Sequence, residues 1–487
     1  PQRDIEMGIN HESNFVCSKQ DYLDHLVQIF KTWQEHPMVA SGQWPKTLEE
    51  CFGLDVQYTY PLQDEDAKSL VDYFVDVYAP MRSPNNKLRD IEGFIYEGPE
   101  YLTMFSGDGQ EIETIDFPFP RQDDGLMWGD YAMPRIEPCN RVDRFLSGVA
   151  YLDGVHPHLV ICRGYYTRTT ITAYLFQEGK HQEVFRVDSG HVLMSNPFQD
   201  GPHEQEGSDP VYGTLAGQGN HSLSVADIDQ DGYQEIIYGA AIIDHDGTLY
   251  QSLYGELPNG ERAKLGHGDA LHVGKFDPKK PGYQIFSVFE GAQHAPYGFA
   301  FRDAKTGEIF VGEYAEEDLG RAMVGDVSDK HPGFSLWVRD MFDLDGNKID
   351  EPLLGTNMSI RFKADCSTQI IDGVDYQKQL AKGVISDIRN GIILEPQGTL
   401  TNNGTKGNPC LVADIWGDYR EELILRTEDS TALRIYTSTE VSDRALFTLM
   451  EDAMYRVGVA WQNNCYNQPC YPSFYYGSDM DFRDIEI

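Results

Sequence analysis

The spacing of apolar and polar residues changes near residue 90, from a helical to a strand-like pattern. In the segment 21–36, apolar residues recur at the three-to-four-residue spacing of one helix face; they are Leu23, Leu26, Val27, Phe30 and Trp33. The segment 64–80 has the same spacing, begins with acidic residues and reaches Pro80, so we predict a second helix that ends there. Residues 1–94 are therefore predicted to form a mostly helical insertion or cap.

From about residue 95 onward, short runs rich in Val, Ile, Tyr and Phe alternate with turns of Gly, Asp, Asn and Pro. Several segments share one plan of apolar strand, acidic turn and second apolar strand; they are 148–164, 224–240, 272–288, 323–339 and 411–427. The second, third and fourth copies are about fifty residues apart, which is typical of propeller blades. We predict an all-β fold with a β-propeller over 95–487; a β-sandwich with similar turns is the alternative.

Composition narrows the possible partners. The chain has 487 residues, with 78 acidic residues against 39 Lys and Arg and a formal charge of -39. Such a balance argues against a nucleic-acid partner, and no apolar run is long enough to span a membrane. The 8 cysteines include no C-x-x-C pair, which argues against a disulfide scaffold or a zinc site.

One acidic turn, "DIDQDGYQE", has the spacing of a calcium loop. Alternate carboxylates can converge on one hard cation while Gly232 permits the sharp turn; the residues are Asp227, Asp229, Asp231 and Glu235. The alternative is an acidic turn held by side-chain-to-backbone hydrogen bonds. The weaker acidic turns at 343–346 and 414–418 leave both interpretations open.

A set of polar residues lies beside the starts of the repeats. In a propeller, turns on one face surround the central axis, so these side chains could converge on a shared site; they are His221, His267, Asp269 and Glu290. Each histidine taken alone is more often structural. Arg321 stands at the start of another repeat, where a surface ion pair is the alternative.

The loop "TNNGTKGNPCL" at 401–411 surrounds one lysine with amide, hydroxyl and backbone oxygens. Such neutral oxygens are calcium ligands, and a cation beside Lys406 would disfavour the charged form of its amine. A neutral amine near an acidified C–H can act as a general base, while a metal can neutralise a substrate carboxylate. This combination suits β-elimination from a uronic acid. The alternative is an Asn-Gly surface turn.

In series, eight stretches resemble the propeller rhamnogalacturonan lyases of polysaccharide lyase family eleven. They lie between residues 98 and 469 and read "GPEYLTMFSG", "NRVDRFLSGVAYLDG", "RGYYTRT", "GQGNHSLSVADIDQDG", "LGHGDALH", "NNGTKGNP", "RTEDSTALRIYTST" and "AWQNNCYNQP". The resemblance implies an eight-bladed, calcium-laden propeller. It also implies β-elimination of the α-1,4 bond from rhamnose to galacturonate in rhamnogalacturonan I, with an unsaturated galacturonate as product.

The resemblance also implies roles for individual residues. Lys406 and Arg321 are expected to be the catalytic cations, either of which could take the proton. The expected ligands of an active-site Ca²⁺ are Asn403, Gly404, Thr405 and Asn463. A further metal or substrate-binding group is expected from His221, His267, Asp269 and Glu290, and a substrate contact from Tyr466.

Two departures from the family pattern shape the remaining expectations. The chain looks as if it starts inside the propeller, so we expect a missing N-terminal segment or a second chain that completes the ring. The segment 290–298 is short, which favours an open cleft and endo action. The pectic substrate implies a secreted or extracellular protein. A non-catalytic, calcium-braced glycan-binding propeller is the alternative function, and a hydrolase using Asp269 and Glu290 is a third.

Overall fold

The protein is mostly β-sheet, with few helices. The computed structural model describes residues 18–82, 84, 86–90, 92, 100–120, 144–200, 205–464 and 466–481. The predicted all-β class is confirmed at this level, whereas the closure of the sheets into a propeller stays a prediction. Across these ranges, no helix combines the length and apolar character that a membrane crossing would require.

Short helices occupy the N-terminal part of the described chain. They are α1 (Lys19–Lys31), α2 (Pro37–Ala40), α3 (Leu48–Phe52), α4 (Asp64–Tyr73) and α5 (Ala79–Arg82), with a π-helical turn at Phe74–Tyr78 and 3₁₀ turns at Trp33–Glu35 and Leu88–Asp90. The expected stop at Pro80 is wrong, because the helical path continues through the π turn to Arg82. Pro80 directly follows the π turn, after which the Ala79 N–H bonds to the Phe74 carbonyl, five residues earlier.

Aromatic packing holds these helices together and joins them to the sheet region. Phe52 lies between Phe74, at 5.8 Å, and Phe198, at 4.8 Å between ring centroids. The Tyr78 hydroxyl donates to the Phe198 carbonyl at 2.9 Å, and the Asn196 amide donates to the Cys51 carbonyl at 3.1 Å. The helices therefore share one core with the segment around Phe198. The predicted boundary near residue 94 lies outside the described residues.

The strands form antiparallel hairpins and sheets that follow one another along the chain. The first half contains the hairpin β1 (Tyr101–Phe105) and β2 (Glu111–Asp116), the sheet β3 (Phe145–Ala150), β4 (His158–Arg163), β5 (Thr170–Gln177) and β6 (Lys180–Asp188), the sheet β7 (Gly219–Ala226), β8 (Glu235–Gly239), β9 (Ala241–Ile243) and β10 (Leu249–Ser252), and the hairpin β11 (Tyr254–Glu256) and β12 (Arg262–Lys264).

The second half continues the same arrangement. It contains the sheet β13 (Ala270–Gly274), β14 (Gln284–Val288), β15 (Phe299–Asp303) and β16 (Ile309–Glu313), the sheet β17 (Met323–Gly325), β18 (Ser335–Trp337) and β19 (Met341–Phe342), the sheet β20 (Met358–Ile360), β21 (Gln369–Asp375), β22 (Leu380–Asp387) and β23 (Gly391–Leu394), and the sheet β24 (Thr399–Leu400), β25 (Leu411–Ala413), β26 (Glu422–Thr427) and β27 (Leu433–Tyr436). Helix α6 (Ala453–Trp461) follows.

The first strands of successive sheets pack against one another. Strand β3 contacts β7, β7 contacts β13, β13 contacts β17 and β17 contacts β20, while α6 contacts β3, β7 and β25. The packing is close, because a Cβ on Gly148 of β3 would lie 2.8 Å from a Leu223 methyl of β7. Residues just before these first strands are thereby brought to one end of the sheets.

The last sheet contains a strand that is interrupted by a loop. Strands β24 and β25 pair with the same edge of β26, with Leu400 opposite Arg426 and Leu411 opposite Ile424. Residues 401–410 leave this edge and return to it. Gly404 lies so close to the turn after β21 that a Cβ there would be 1.7 Å from the Gln379 carbonyl oxygen. Only glycine allows this approach, so the loop is fixed against a neighbouring sheet.

Candidate active site

The predicted polar residues come from separate sheets and meet at one end of the first strands. His221 lies in β7, His267 and Asp269 precede β13, and Glu290 follows β14. Arg321 precedes β17, Lys406 lies in the loop between β24 and β25, and Tyr466 follows α6. The antiparallel order returns the end of each second strand to the start of the first, which explains why Glu290 rejoins this group.

Tyr466 is the common neighbour of the two predicted catalytic cations. The Lys406 amine lies 4.6 Å and the Arg321 guanidinium carbon 5.5 Å from the centroid of its ring. The ring also stacks on His221, with 4.4 Å between centroids and 8° between planes. The Tyr466 N–H donates to the His221 carbonyl at 3.0 Å, which fixes this segment to β7. Lys406 and Arg321 therefore lie at the same site.

A second group lies directly beside this ring. His221 Nε2 is 3.1 Å from Asp269 Oδ1 and 3.0 Å from Glu290 Oε1. His267 Nε2 is 2.9 Å from the other oxygen of Glu290. The ligand atoms of His221, Asp269 and Glu290 all lie within 4.8 Å of one another, so these residues could hold a metal ion. Lys406 connects the two groups, because its amine is 3.9 Å from Asp269 Oδ2.

The two carboxyl groups in this cluster are driven to different protonation states. Burial, together with the neighbouring Glu290 carboxylate, raises the pKa of Asp269 to about 8. Burial alone would also raise the pKa of Glu290, but hydrogen bonds from His221 and His267 outweigh burial and lower it. At neutral pH the pair therefore retains about one proton. Added positive charge, such as that of a bound metal ion, would favour ionisation of both carboxyl groups.

Arg321 is held rigidly in the protein. Its side chain is buried, and one guanidinium nitrogen donates to the carbonyls of Asn357, at 3.1 Å, and Asn467, at 2.7 Å. A guanidinium remains protonated at any pH at which the protein is folded. Arg321 is therefore suited to pair with an anion rather than to accept a proton. The Lys406 side chain is more accessible, at 29% exposed.

Both cations line a cleft of about 430 Å³. Thr405 lines it with them. The other lining residues come from the β18–β19 turn, from the segment before β20 and from the β21–β22 hairpin; they are Val338, Leu353, Leu354, Gly355, Thr356, Asn357, Asp372 and Tyr376. A cleft of this size is typical of a small-ligand or sugar site.

The Asn403 side-chain oxygen, one of the predicted calcium ligands, already has partners within the loop. Asn403 Oδ1 accepts from the backbone N–H groups of Thr405 and Lys406, both at 2.8 Å, and from the Thr405 hydroxyl at 2.9 Å. The Asn463 amide donates to the Cys410 carbonyl at 2.9 Å, which brings Asn463 to the same loop. This turn aims Lys406 at the cleft, and the ligand role of its oxygens stays a prediction.

The acidic turn after β7 has the features of a cation site. Asp227, Asp229 and Glu235 lie close enough to share one ion, and Asp231 and Glu235 form a second group with His245. Within the described part of the chain, Asp229 Oδ1 and Glu235 Oε1 are buried and have no hydrogen-bond partner. Burial raises the pKa of Glu235 to about 8, with Asp229 and Asp227 adding to the shift. A bound cation would satisfy these oxygens.

Two equivalent turns in other sheets have a glutamine in place of this glutamate, whereas the last sheet has Glu422 there. Glu235 accepts a hydrogen bond from the N–H of Ile228. At the equivalent position, Gln284 accepts from the N–H groups of Phe276 and Asp277. In another sheet, Gln369 accepts from the N–H of Phe362. The turn at 343–346 is a backbone-capping turn, since Asp343 Oδ1 accepts from the N–H groups of Asp345 and Asn347. A glutamate at position 235 is thus not needed to hold the turn.

The sequence analysis did not assign a role to two tyrosines. The Tyr165 hydroxyl lies 2.7 Å from His221 Nδ1, and the Tyr166 hydroxyl lies 3.1 Å from His221 Nε2. The ring of Tyr166 also packs edge-on against His267 at 4.5 Å. The stretch "RGYYTRT" was recognised only as part of a family resemblance, because tyrosine has no spacing rule that indicates contact with a histidine on another sheet.

Comparison with known proteins identifies the family of this chain. Residues 79–485 match the family described as rhamnogalacturonan lyase family 11, C-terminal domain. The chain is 43% identical over 413 residues to rhamnogalacturonan exolyase YesX of Bacillus subtilis, covering 80% of this chain and 61% of that protein. It is 41% identical over 404 residues to rhamnogalacturonan endolyase YesW of the same organism, covering 81% and 58%.

Among solved structures, the chain is similar to a Bacillus licheniformis rhamnogalacturonan lyase, at 43% identity and a TM-score of 0.69, with 80% of this chain and 61% of that chain covered. This chain therefore spans about three fifths of the length of the relatives that it matches. The family match covers most of the sequence, including every residue placed in the site above. The chain belongs to rhamnogalacturonan lyase family 11.

Proposed function

We propose that this chain carries the active site of a rhamnogalacturonan I lyase. The observation that supports this proposal best is the convergence of Lys406 and Arg321 on Tyr466 at one cleft. A neighbouring pair of cationic side chains, one partly exposed and one held by backbone carbonyls, suits proton abstraction beside a carboxylate. The names of the relatives, a rhamnogalacturonan exolyase and an endolyase, support the substrate class.

The two cations take different roles in the proposed reaction. Arg321 pairs with the C6 carboxylate of galacturonate, because two backbone carbonyls hold its guanidinium in place and it cannot release a proton. Lys406, in its neutral form, takes the C5 proton. The electron pair of the C5–H bond forms the C4–C5 double bond, and the C4–O4 bond breaks. O4 leaves on rhamnose C1 and takes up a proton, which gives a new reducing end and an unsaturated galacturonate.

We propose calcium as the metal partner of this site. The ligands are Asn403, Gly404, Thr405 and Asn463 in the active-site loop region, and Asp227, Asp229, Asp231 and Glu235 in the acidic turn. Among the residues that the structure describes, Asp229 Oδ1 and Glu235 Oε1 are buried without a hydrogen-bond partner, which supports the second set. Calcium bound beside Lys406 would supply charge that neutralises the substrate carboxylate. His221, His267, Asp269 and Glu290 would bind substrate or a further metal, and Tyr466 would contact the sugar.

Replacing Glu235 by glutamine tests the metal in the acidic turn. The carboxamide can accept from Ile228 as Gln284 does from its own turn, so the fold is preserved. With chelator present, the native wild type keeps a proton on Glu235 over a pH range in which the unfolded chain has lost it. The free energy of unfolding therefore falls as pH rises from 4.5 to about 8. We expect a smaller fall for E235Q. Added calcium at a hundred times its Kd should stabilise the wild type by about 2.7 kcal/mol and E235Q by less.

Thermal unfolding with calcium or chelator measures both effects. Asp343→Asn is the matched control, because Asp343 caps a turn through its own backbone contacts. An equal calcium response in the wild type and E235Q would show that the ion binds elsewhere.

We propose that the sheets form the blades of a propeller, on the basis that each first strand packs against the next. Residues 1–94 would be a helical insertion beside a propeller domain at 95–487. We propose endo action, because the segment 290–298 contains only a single 3₁₀ turn at Ala292–His294 and no covering loop. A pectic substrate implies action outside the cell.

An assay with rhamnogalacturonan I and calcium tests the proposed activity. We expect ultraviolet absorbance to rise as the conjugated unsaturated uronate forms, with a matching rise in reducing ends. Reducing ends without absorbance would indicate a hydrolase. Neither signal, with polysaccharide retained by the protein, would indicate the non-catalytic glycan-binding alternative. Early loss of viscosity separates endo from exo action.

A further inference from the structure

One fully buried histidine lies in the sheet region without lining the cleft. His272 is in the middle of β13, where it stands opposite Phe286, two residues before the position opposite Gln284. In β20 the equivalent position, two residues before the one opposite Gln369, holds Met358. The strand pairing itself therefore does not require a histidine. A polar ring that is fully removed from water needs hydrogen-bond partners to offset the loss, so its contacts indicate its role.

Both ring nitrogens of His272 have partners, and together these partners fix its tautomer. Nε2 lies 3.0 Å from the Ala322 carbonyl oxygen, which can only accept, so Nε2 carries the hydrogen. Burial lowers the pKa of His272 to about 4, so the ring is neutral near pH 7 and Nδ1 is an acceptor. The Tyr471 hydroxyl, 3.0 Å from Nδ1, therefore donates to it. His272 thus links Tyr471 to Ala322 through one donor and one acceptor.

The two residues that His272 links belong to the segments that hold Arg321. Ala322 directly follows Arg321 in the chain and precedes β17. Tyr471 lies in the segment after α6, and the Asn467 carbonyl of the same segment accepts from the Arg321 guanidinium at 2.7 Å. Arg321 is therefore connected to this segment twice, through its guanidinium and through the backbone that carries it.

We propose that His272 is a positioning residue for Arg321, because it fixes the backbone that carries the guanidinium relative to the segment that the guanidinium binds. The inference rests on the proposed function for the substrate carboxylate with which Arg321 pairs. Without the ring, the buried Ala322 carbonyl loses its donor from His272 and the start of β17 is free to shift. A misplacement of about 1 Å in a group that must meet the substrate can cost about a hundredfold in rate.

Steady-state kinetics of His272 variants on rhamnogalacturonan I tests this role. His272→Leu removes both hydrogen bonds, and we expect kcat/KM to fall by about tenfold to a hundredfold. His272→Gln can donate through its amide nitrogen and accept through its amide oxygen, so kcat/KM should stay within about threefold of the wild-type value. His158→Leu is the matched control, because His158 of β4 is also buried but bonds locally, to the His156 carbonyl. Its kcat/KM should equal that of the wild type.

A second background separates positioning from a general loss of structure. Arg321→Lys keeps a positive charge but lacks the planar guanidinium. If His272 acts through Arg321, adding His272→Leu to this variant should lower kcat/KM by less than about twofold. An equal loss in both backgrounds would overturn the proposal, as would a His272→Gln variant as slow as His272→Leu.

A conservative variant of the hydrogen-bond donor gives the same test where His272→Leu does not fold. Tyr471→Phe keeps the ring and removes the hydroxyl that donates to His272. We expect kcat/KM to fall by about threefold to tenfold in the wild-type background and to change little in Arg321→Lys. An unchanged kcat/KM in the wild-type background would contradict the proposal.

Binding of sodium galacturonate, followed by NMR titration with calcium present, separates this inference from the proposed activity. Weaker galacturonate binding in His272→Leu that is recovered in His272→Gln would support the positioning role, even in a protein that forms no unsaturated uronate. Galacturonate binding and kcat/KM that are equal in the wild type and His272→Leu would overturn the role even if the lyase assay succeeds. A wild type that does not bind galacturonate would overturn both proposals.

Discussion

Replacing Lys406 by alanine is expected to lower the rate of elimination by about a hundredfold to ten-thousandfold, the range typical of losing a general base. The loop should remain folded, because Asn403 caps the backbone N–H of residue 406 and not its side chain. Substrate binding should change less than turnover, since Arg321 still pairs with the carboxylate. The measurement is the initial rate of absorbance increase at saturating rhamnogalacturonan I.

The arginine variant distinguishes a base from an electrostatic role. Lys406→Arg keeps the positive charge but cannot release its proton near neutral pH, so it should be nearly as slow as the alanine variant. Near wild-type activity in Lys406→Arg would contradict the assignment and favour charge stabilisation alone. Lys382→Ala is the matched control, since Lys382 forms an exposed ion pair with Glu395 away from the cleft and should retain full activity.

Replacing Arg361 by methionine is expected to destabilise the protein by about 3–5 kcal/mol, because Glu421 would remain buried without its partner. Arg361 Nη1 lies 3.0 Å from Glu421 Oε1, and both side chains are almost fully buried. The Arg361 guanidinium also donates to the Cys470 carbonyl at 2.9 Å. It therefore ties the sheet of β20 to the segment that follows Tyr466. Chemical denaturation measures the loss.

A double variant and a surface control make this prediction specific. Arg361→Met combined with Glu421→Gln removes the orphaned charge and should recover part of the stability. Lys348→Met breaks an exposed ion pair with Asp340 and should change stability by about 0–1 kcal/mol. A similar loss in Arg361→Met and Lys348→Met would show that burial of the charge is not the cause.

The strand pairs were predictable where two apolar runs flank an acidic turn. Four of the five repeats correspond to the first two strands of a sheet, and the fifth corresponds to β25 and β26 of the last sheet. The pair β20 and β21 escaped, because its turn contains Cys366, Ser367 and Thr368 and lacks the Gly or Pro that marks the other turns. The length of its first strand is not the reason, because the equally short β17 and β25 were predicted. The overrun of the helix past Pro80 likewise depends on a π turn that has no sequence rule.

The sequence predicted which residues belong to the site better than it predicted the contacts that they make. The positions of His221, His267, Asp269 and Glu290 beside repeat starts predicted their convergence, and the structure brings them together. The partners of Asn403 were not predictable, because a carboxamide that caps its own loop and one that ligates an ion have the same sequence. Leu353 and Tyr376 were also missed as residues that line the cleft, because they belong to segments separate from the loop of Lys406.

The interrupted strand of the last sheet makes the loop that carries Lys406 separable from the sheet that supports it. While the chain runs from Leu400 to Leu411, its partner strand advances only from Arg426 to Ile424, so the sheet passes beneath the loop without a break. Residues 401–410 therefore form an inserted loop whose two ends are fixed by the sheet. Evolution or design could replace this loop by one with another reactive group without changing the sheet. A glycine would have to remain where the loop contacts Gln379.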